Sequence, residues 1–335
     1  MPLFRRYALG MELSDSLFKL VEIRKGFRRV RLTQAVTHPL LPAWTGKREL
    51  VEQEEMIYSI RDALAGRPLH TRRVHVSLGN RHVVTGIWKI PEMRMARMRR
   101  WIEKKVFPEW DLPFDDPIFD FEPLGHVWQD GDQQEVVVAA TSRAYAEELV
   151  DLIRWCGLEP VSLGLSSMNL YRWVDFADDS TLNHLAVLHL SRMGVEVSLF
   201  YQGVLQGGFY LSLSLQDHLN GHPARPDMDP LAPVLTETSQ VESYGEALIE
   251  KLKEAEPEWL VRELWKPSRV WMVSGEGVDL STLIPFLQTR VAVTIRQGPG
   301  ADALLNEKHL LHSSRWLGNA LSAPLGAALK GVASR

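Results

Sequence analysis

Strand patterns over residues 7–11 and 17–24 flank a short polar turn at Ser14-Asp15-Ser16, and a third over 28–36 follows the Lys25-Gly26 turn. The chain therefore opens on a three-strand meander, and that meander constrains the fold because it returns. Strands expected over 184–190, 195–201 and 204–209, with turns at 191–194 and 202–203, repeat the arrangement in the second half. The repeat is one of topology rather than of sequence, as in a duplicated two-lobe architecture. At 335 residues the chain also exceeds what a single hydrophobic core usually organises. Asp178-Asp179-Ser180 marks the break between the lobes.

Between and after the meanders the periodicity alternates between helix and strand. Val51, Met56, Ile57, Ile60 and Leu64 fall three and four apart, with Gly66 and Pro68 as stop signals, which predicts a helix over 49–65. Strands are expected over 74–78 and 82–90, separated by Gly79-Asn80-Arg81. A helix over 94–107 would place Met95, Met98, Ile102 and Val106 on one face and Arg94, Arg97, Arg100, Lys104 and Lys105 largely on the others. Such a basic amphipathic helix can meet an anionic membrane or a nucleic acid backbone, although a solvated basic face over a core stripe is the plainer reading. Strands at 119–125 and 135–140, a helix at 143–155 ended by Gly157, a strand at 158–163 and a helix at 166–176 complete the first half. Beyond the second meander, 221–233 reads as a Pro-rich loop, with helices at 241–255, 257–265 and 280–287 and strands at 269–273 and 292–296. An Ala- and Gly-rich helix at 316–329 is suited to close packing on a sheet.

Composition narrows the function classes. A net charge of −4 and a pI near 6.3 give no global reason to expect nucleic acid as a partner. The single cysteine, Cys156, excludes an internal disulfide and falls in the apolar pattern of Leu149, Leu152 and Ile153, as a buried structural thiol does. No stretch matches a membrane-spanning helix, and the basic residues of the first six positions lack a signal-length apolar run behind them. His218 and His222 have a metal-compatible spacing, but Asn220-Gly221 interrupts the helix that would align them, and His309 and His312 read as solvated. Trp88, Trp101, Trp110 and Trp128 cluster in one region, as core packing or as anchors of a peptide groove.

Five stretches resemble the PilM family of type IV pilus assembly proteins, cytoplasmic actin-like proteins related to FtsA. Residues 9–22 resemble the family's opening Gly-Ile-Asp-Ile-Gly-Ser-Ser-Ser-Val-Lys hairpin without a length change. Val74-His-Val-Ser-Leu78 through Ile90-Pro-Glu-Met93, Asp120-Phe-Glu-Pro-Leu124, Trp155-Cys-Gly-Leu-Glu-Pro160 and Ser322-Ala-Pro-Leu-Gly-Ala-Ala-Leu-Lys-Gly331 follow the family's order over nearly the whole chain. The resemblance implies an α/β, actin-like (ribonuclease H-like) two-lobe fold with a small α+β subdomain inserted in the first lobe. The expected boundaries are 1–73 and 158–180 for the first lobe, 74–157 for the insert and 181–335 for the second lobe. It also implies a partner, the cytoplasmic N-terminal segment of a PilN-like single-span inner-membrane protein, held by the region 74–157. The chain would then be cytoplasmic and attached to the inner membrane through that partner, without inserting itself and without nucleic acid. Self-association stays open, as does the machine served: pilus, competence or type II secretion-like.

The same resemblance implies a nucleotide cleft between the lobes and assigns its positions. The family's first Asp corresponds to Glu12, its tip Gly to Ser14 and its next two Ser to Asp15 and Ser16, while Lys19 is kept. In the second hairpin His189-Leu-Ser191 stands for Asp-Ile-Gly, and in the adenosine-side turn Gly275 is kept while Glu276 replaces the second Gly. Phosphate binding favours glycine at turn tips and carboxylates that hold magnesium. The expectation is therefore a vestigial site at Glu12, Ser14, Ser16, Lys19, His189, Ser191, Gly275 and Glu276, with no cofactor, no catalytic residue and no metal. The alternative is an active ATPase using ATP with Mg2+. A sugar kinase would need a catalytic Asp and a sugar pocket that the sequence does not display.

Overall fold

The computed structural model describes residues 7–14, 16–27, 29–40, 50–126, 132–178, 182–219, 230–256, 258–304 and 317–333. β1 (Tyr7–Leu13) pairs antiparallel with β2 (Leu17–Lys25), which pairs antiparallel with β3 (Val30–Pro39). On its other side β1 lies parallel to β4 (Arg73–Leu78), and β4 lies parallel to β8 (Glu159–Leu165), giving the order β3-β2-β1-β4-β8. The second sheet has the equivalent order, β11-β10-β9-β12-β13. Its strands are β9 (His184–Leu190), β10 (Gly194–Tyr201), β11 (Val204–Ser212), β12 (Val270–Gly275) and β13 (Thr294–Gln297). Both meanders and the duplication expected from the sequence are present, and the chain has the actin-like two-lobe fold.

Both sheets are covered on two faces, which is why β1, β2 and β9 are buried almost continuously rather than at alternate positions. One face of the first sheet packs on α1 (Leu50–Leu64) and α3 (Arg143–Trp155) through Leu9, Met11, Ile60, Leu149 and Ile153. Ser142 caps α3 by accepting from Tyr145 N, and Gly157 ends it in the left-handed region at φ +82°. Cys156 is buried in this core, and burial pushes its thiol up to about 12. The second lobe is built on α5 (Thr238–Glu254), α6 (Glu258–Leu264) and α7 (Leu280–Arg290), with Trp271 and Tyr244 at its centre.

The insert is a separate sheet of order β5-β7-β6, made of β5 (Val84–Pro91), β6 (Pro117–His126) and β7 (Gln133–Ser142). Two of the expected boundaries are corrected by the pairing. The strand at 73–78, placed in the insert by the sequence, lies inside the first sheet because β1 and β8 flank it, and α3 belongs to the first-lobe core. The terminal helix (Ser322–Val332), assigned with the second lobe, packs on β1, β2, β4 and α4 (Ser166–Ala177) of the first. The basic segment is not one α-helix either: α2 (Met95–Trp101) passes into a π turn over Ile102–Val106. Met98, Ile102 and Val106 are buried and spaced four apart. In a strict α-helix such a series drifts round the axis, and the wider π turn winds it back onto the sheet. Trp88, Trp101 and Trp110 pack round this apolar stripe as core, while Trp128 lies outside the described residues.

Close approach fixes the terminal helix. A Cβ on Gly10 would sit 1.8 Å from Pro324 O, and one on Gly326 would sit 1.7 Å from Asn169 O. Both obstacles are backbone and cannot swing away. Gly10→Val is expected to lower stability by about 3 kcal/mol, the upper part of the usual overpacking range, measured by urea denaturation; a loss below about 1 kcal/mol would contradict this packing. Among the described residues no helix is long and apolar enough to cross a membrane.

Candidate functional site

Strand register assembles the inter-lobe site. Glu12 lies opposite Lys19 across β1 and β2 and opposite Ser77 across β1 and β4. In the second sheet His189 lies opposite Glu196 across β9 and β10 and opposite Ser274 across β9 and β12. These two triples occupy equivalent places in the duplicated fold and meet across the cleft, with His189 Nε2 3.7 Å from Glu12 Oε1. His189 Nδ1 shares a 2.9 Å hydrogen bond with Ser274 Oγ.

The Lys19 ammonium closes the cleft. Its side chain is fully buried, and Nζ donates to Glu12 Oε2 at 3.1 Å and to Glu276 Oε2 at 2.6 Å, so one cation from the first lobe holds a carboxylate from each. Glu276 is delivered by Gly275, whose φ of +113° and close approach to β9 exclude a side chain: a Cβ there would meet Leu190 O at 2.0 Å. Burial works to raise the Glu12 pKa, but Lys19 and His189 outweigh it and hold the carboxyl at about 2. Burial likewise works to lower Lys19, and Glu12 and Glu276 together raise it above the ordinary lysine range. Burial pushes the Glu196 carboxyl up. Glu276 Oε1, Glu196 Oε2 and His189 Nε2 are buried without a hydrogen-bond partner among the described residues.

A second bridge lies beside the first. Asn80 Nδ2 donates to Val197 O and Ser198 Oγ, both at 3.2 Å, Ser167 Oγ donates to Asn80 Oδ1 at 2.9 Å, and Ser198 Oγ donates to Ser167 Oγ at 2.7 Å. All these side chains are buried, so the lobes are joined by satisfied polar contacts as well as by charge.

Of the positions named from the sequence, Glu12, Lys19, His189 and Glu276 converge. Ser14 instead serves its own turn, donating from N to Leu17 O at 2.9 Å and accepting from Leu17 N at 3.1 Å. Ser191 does the same at the second hairpin, its Oγ donating to Gly194 O at 3.0 Å. Ser16 Oγ is buried without a partner among the described residues, and Asp15 lies outside them. Glu196, Asn80, Ser167 and Ser198 are site residues that the sequence reading missed. Glu196 left a trace, a lone carboxylate between Val195 and Val197 in a buried strand; the other three are short polar residues that only the fold brings together.

A groove of about 680 Å3 opens elsewhere, between the insert and the rest of the molecule. One wall is β6 and β7, the other is β8, α4 and the start of β11, and Lys330 and Arg172 stand among otherwise largely apolar residues. Phe119, Phe121, Val137, Leu163 and Met168 supply that apolar surface. Among the described residues both β6 and β8 are edge strands of their sheets, each paired with a strand on one side. Among the described residues no group of three metal-ligating side chains is assembled, and His218 Nδ1 is bonded to Ser243 Oγ at 3.0 Å.

Two lobes of repeated topology with a cleft between them define the chain as an actin-like protein. It belongs to the type IV pilus assembly protein PilM family, whose model matches residues 10–200. Among solved structures it is similar to the PilM-PilN type IV pilus biogenesis complex, at 22% identity and a TM-score of 0.76, covering 98% of this chain and 99% of that one. It is also similar to the ethanolamine utilization protein EutJ from Carboxydothermus hydrogenoformans, at 13% identity and a TM-score of 0.52, covering 98% and 91%. No curated protein matches the chain in sequence.

Proposed function

We propose that this type IV pilus assembly protein is a catalytically silent adaptor that docks the cytoplasmic N-terminal tail of a PilN-like, single-span inner-membrane protein. The observation that carries the silent half is the position of Lys19, saturated by Glu12 and Glu276 in the middle of the cleft. A Mg-triphosphate does not fit these residues. The cation that would face phosphate is already paired on both sides, Glu12 and Glu276 place negative charge against it, and the Ser14 and Ser191 turns spend their hydroxyls on themselves. The chain's own ion triad takes the place of a nucleotide in holding the lobes together.

The docking half is supported by family membership and by the groove beside the insert, the part of the chain the resemblance assigns to the partner. An extended tail can lie along an edge strand, hydrogen-bonding through its backbone while its apolar side chains reach the Phe119, Leu163 and Met168 surface. In this reading the chain sits in the cytoplasm, held peripherally at the inner membrane. Fluorescence anisotropy with a synthetic peptide of the partner's N-terminus tests it. Saturable binding is expected, and no binding to the tail encoded beside this chain would sink it.

A further inference from the structure

We propose that the exposed face of α2 and the turn after it is an electrostatic docking surface for an anionic phospholipid membrane. Arg97 and Arg100 lie three apart on α2, Arg94 immediately precedes the helix as its N-cap and Lys104 follows in the π turn, and all four are exposed. Among the described residues their side chains make no ion pair or hydrogen bond. Arg99 is different: it donates to Phe119 O and Asp120 and lies over the Phe119 ring, so it is tied to the insert's own sheet. Between residues 92 and 105 six basic residues stand against Glu92 and Glu103, in a chain whose net charge is −4.

The occupant follows from the chemistry and the geometry. The apolar stripe of Met98, Ile102 and Val106 is buried on the insert's sheet, so the helix cannot roll over and insert; it presents charge from a fixed platform. A planar anionic surface needs only one such face. A nucleic acid backbone would also meet the rest of an acidic chain of pI near 6.3, unlike the basic domains that bind it. Val136 and Val138 of β7 pack under the helix while Val137 and Ala139 line the groove, and Arg94, Arg97, Arg100 and Lys104 do not line the groove, so lipid and tail binding can be separated by substitution.

Vesicle co-sedimentation of the full chain tests the proposal. Vesicles of phosphatidylcholine with about one-third phosphatidylglycerol should retain the protein, pure phosphatidylcholine should not, and raising salt from about 0.05 M to about 0.5 M should release it. Arg97→Gln, Arg100→Gln and Lys104→Gln together should weaken partitioning about a hundredfold, near fivefold per charge removed. The triple variant should keep its urea midpoint and its affinity for the tail peptide, because none of the three side chains is buried or lines the groove. Absence of binding, equal binding by the variant, equal binding to neutral vesicles, or equally tight binding to duplex DNA would each overturn the assignment.

Discussion

Replacing Lys19 by methionine is expected to destabilise the protein by about 3–5 kcal/mol, the cost of removing one partner from a buried ion network. Methionine fills the volume of the lysine stem but leaves Glu12 and Glu276 facing each other across the lobes without a cation. Acid provides the matching experiment on the unaltered chain. Glu12 is held at about 2 against an ordinary 4.5, so the folded state binds its proton less readily than the unfolded state does. The stability this contributes is fully present above about pH 4.5 and is lost as pH falls through that interval towards 2, by about 3 kcal/mol in total. Urea midpoints measured from pH 6 downward should show this slope in the wild type, and Lys19→Met should flatten it. A variant within about 1 kcal/mol of wild type would mean that the triad is not what joins the lobes.

Filling the groove at Gly164 should abolish tail binding while leaving the fold intact. The nearest atoms to a Cβ added there are in the Asn169 side chain at 3.6 and 3.7 Å and Val76 O at 3.8 Å, which are ordinary contacts. Gly164→Trp therefore takes its space from the groove rather than from the core. Loss of the tail's central apolar contacts corresponds to roughly 2–4 kcal/mol, or about thirtyfold to a thousandfold in affinity. Peptide anisotropy should record that loss while the urea midpoint stays near wild type. Undiminished peptide affinity would place the tail elsewhere.

These two experiments probe features of different legibility. The hairpin was readable because its turn length sets the register that puts Glu12 opposite Lys19, and the meander pattern repeats in the second half with the same sheet order. That Ser14, His189 and Ser191 depart from the pattern of the family's hairpins is likewise a matter of residue type alone. What the sequence could not display was the charge balance: Glu276 reads there as a lost glycine, and only the folding of β12 against β9 brings it within 2.6 Å of Lys19, 257 positions earlier. Glu196, Asn80, Ser167 and Ser198 meet through the same long-range closure. The insert's boundaries were misread for a related reason. β4 has the local pattern of any buried strand, and its parallel neighbours β1 and β8 are distant in the chain. The groove is a property of packing between sheets and has no local signature at all.

If the chain's own ions occupy the place of a nucleotide, calorimetric titration of Mg-ATP into the purified protein should leave them undisturbed. No binding tighter than about 1 mM, equivalent to about 4 kcal/mol, and no release of phosphate are expected. Sub-millimolar binding accompanied by turnover would contradict it.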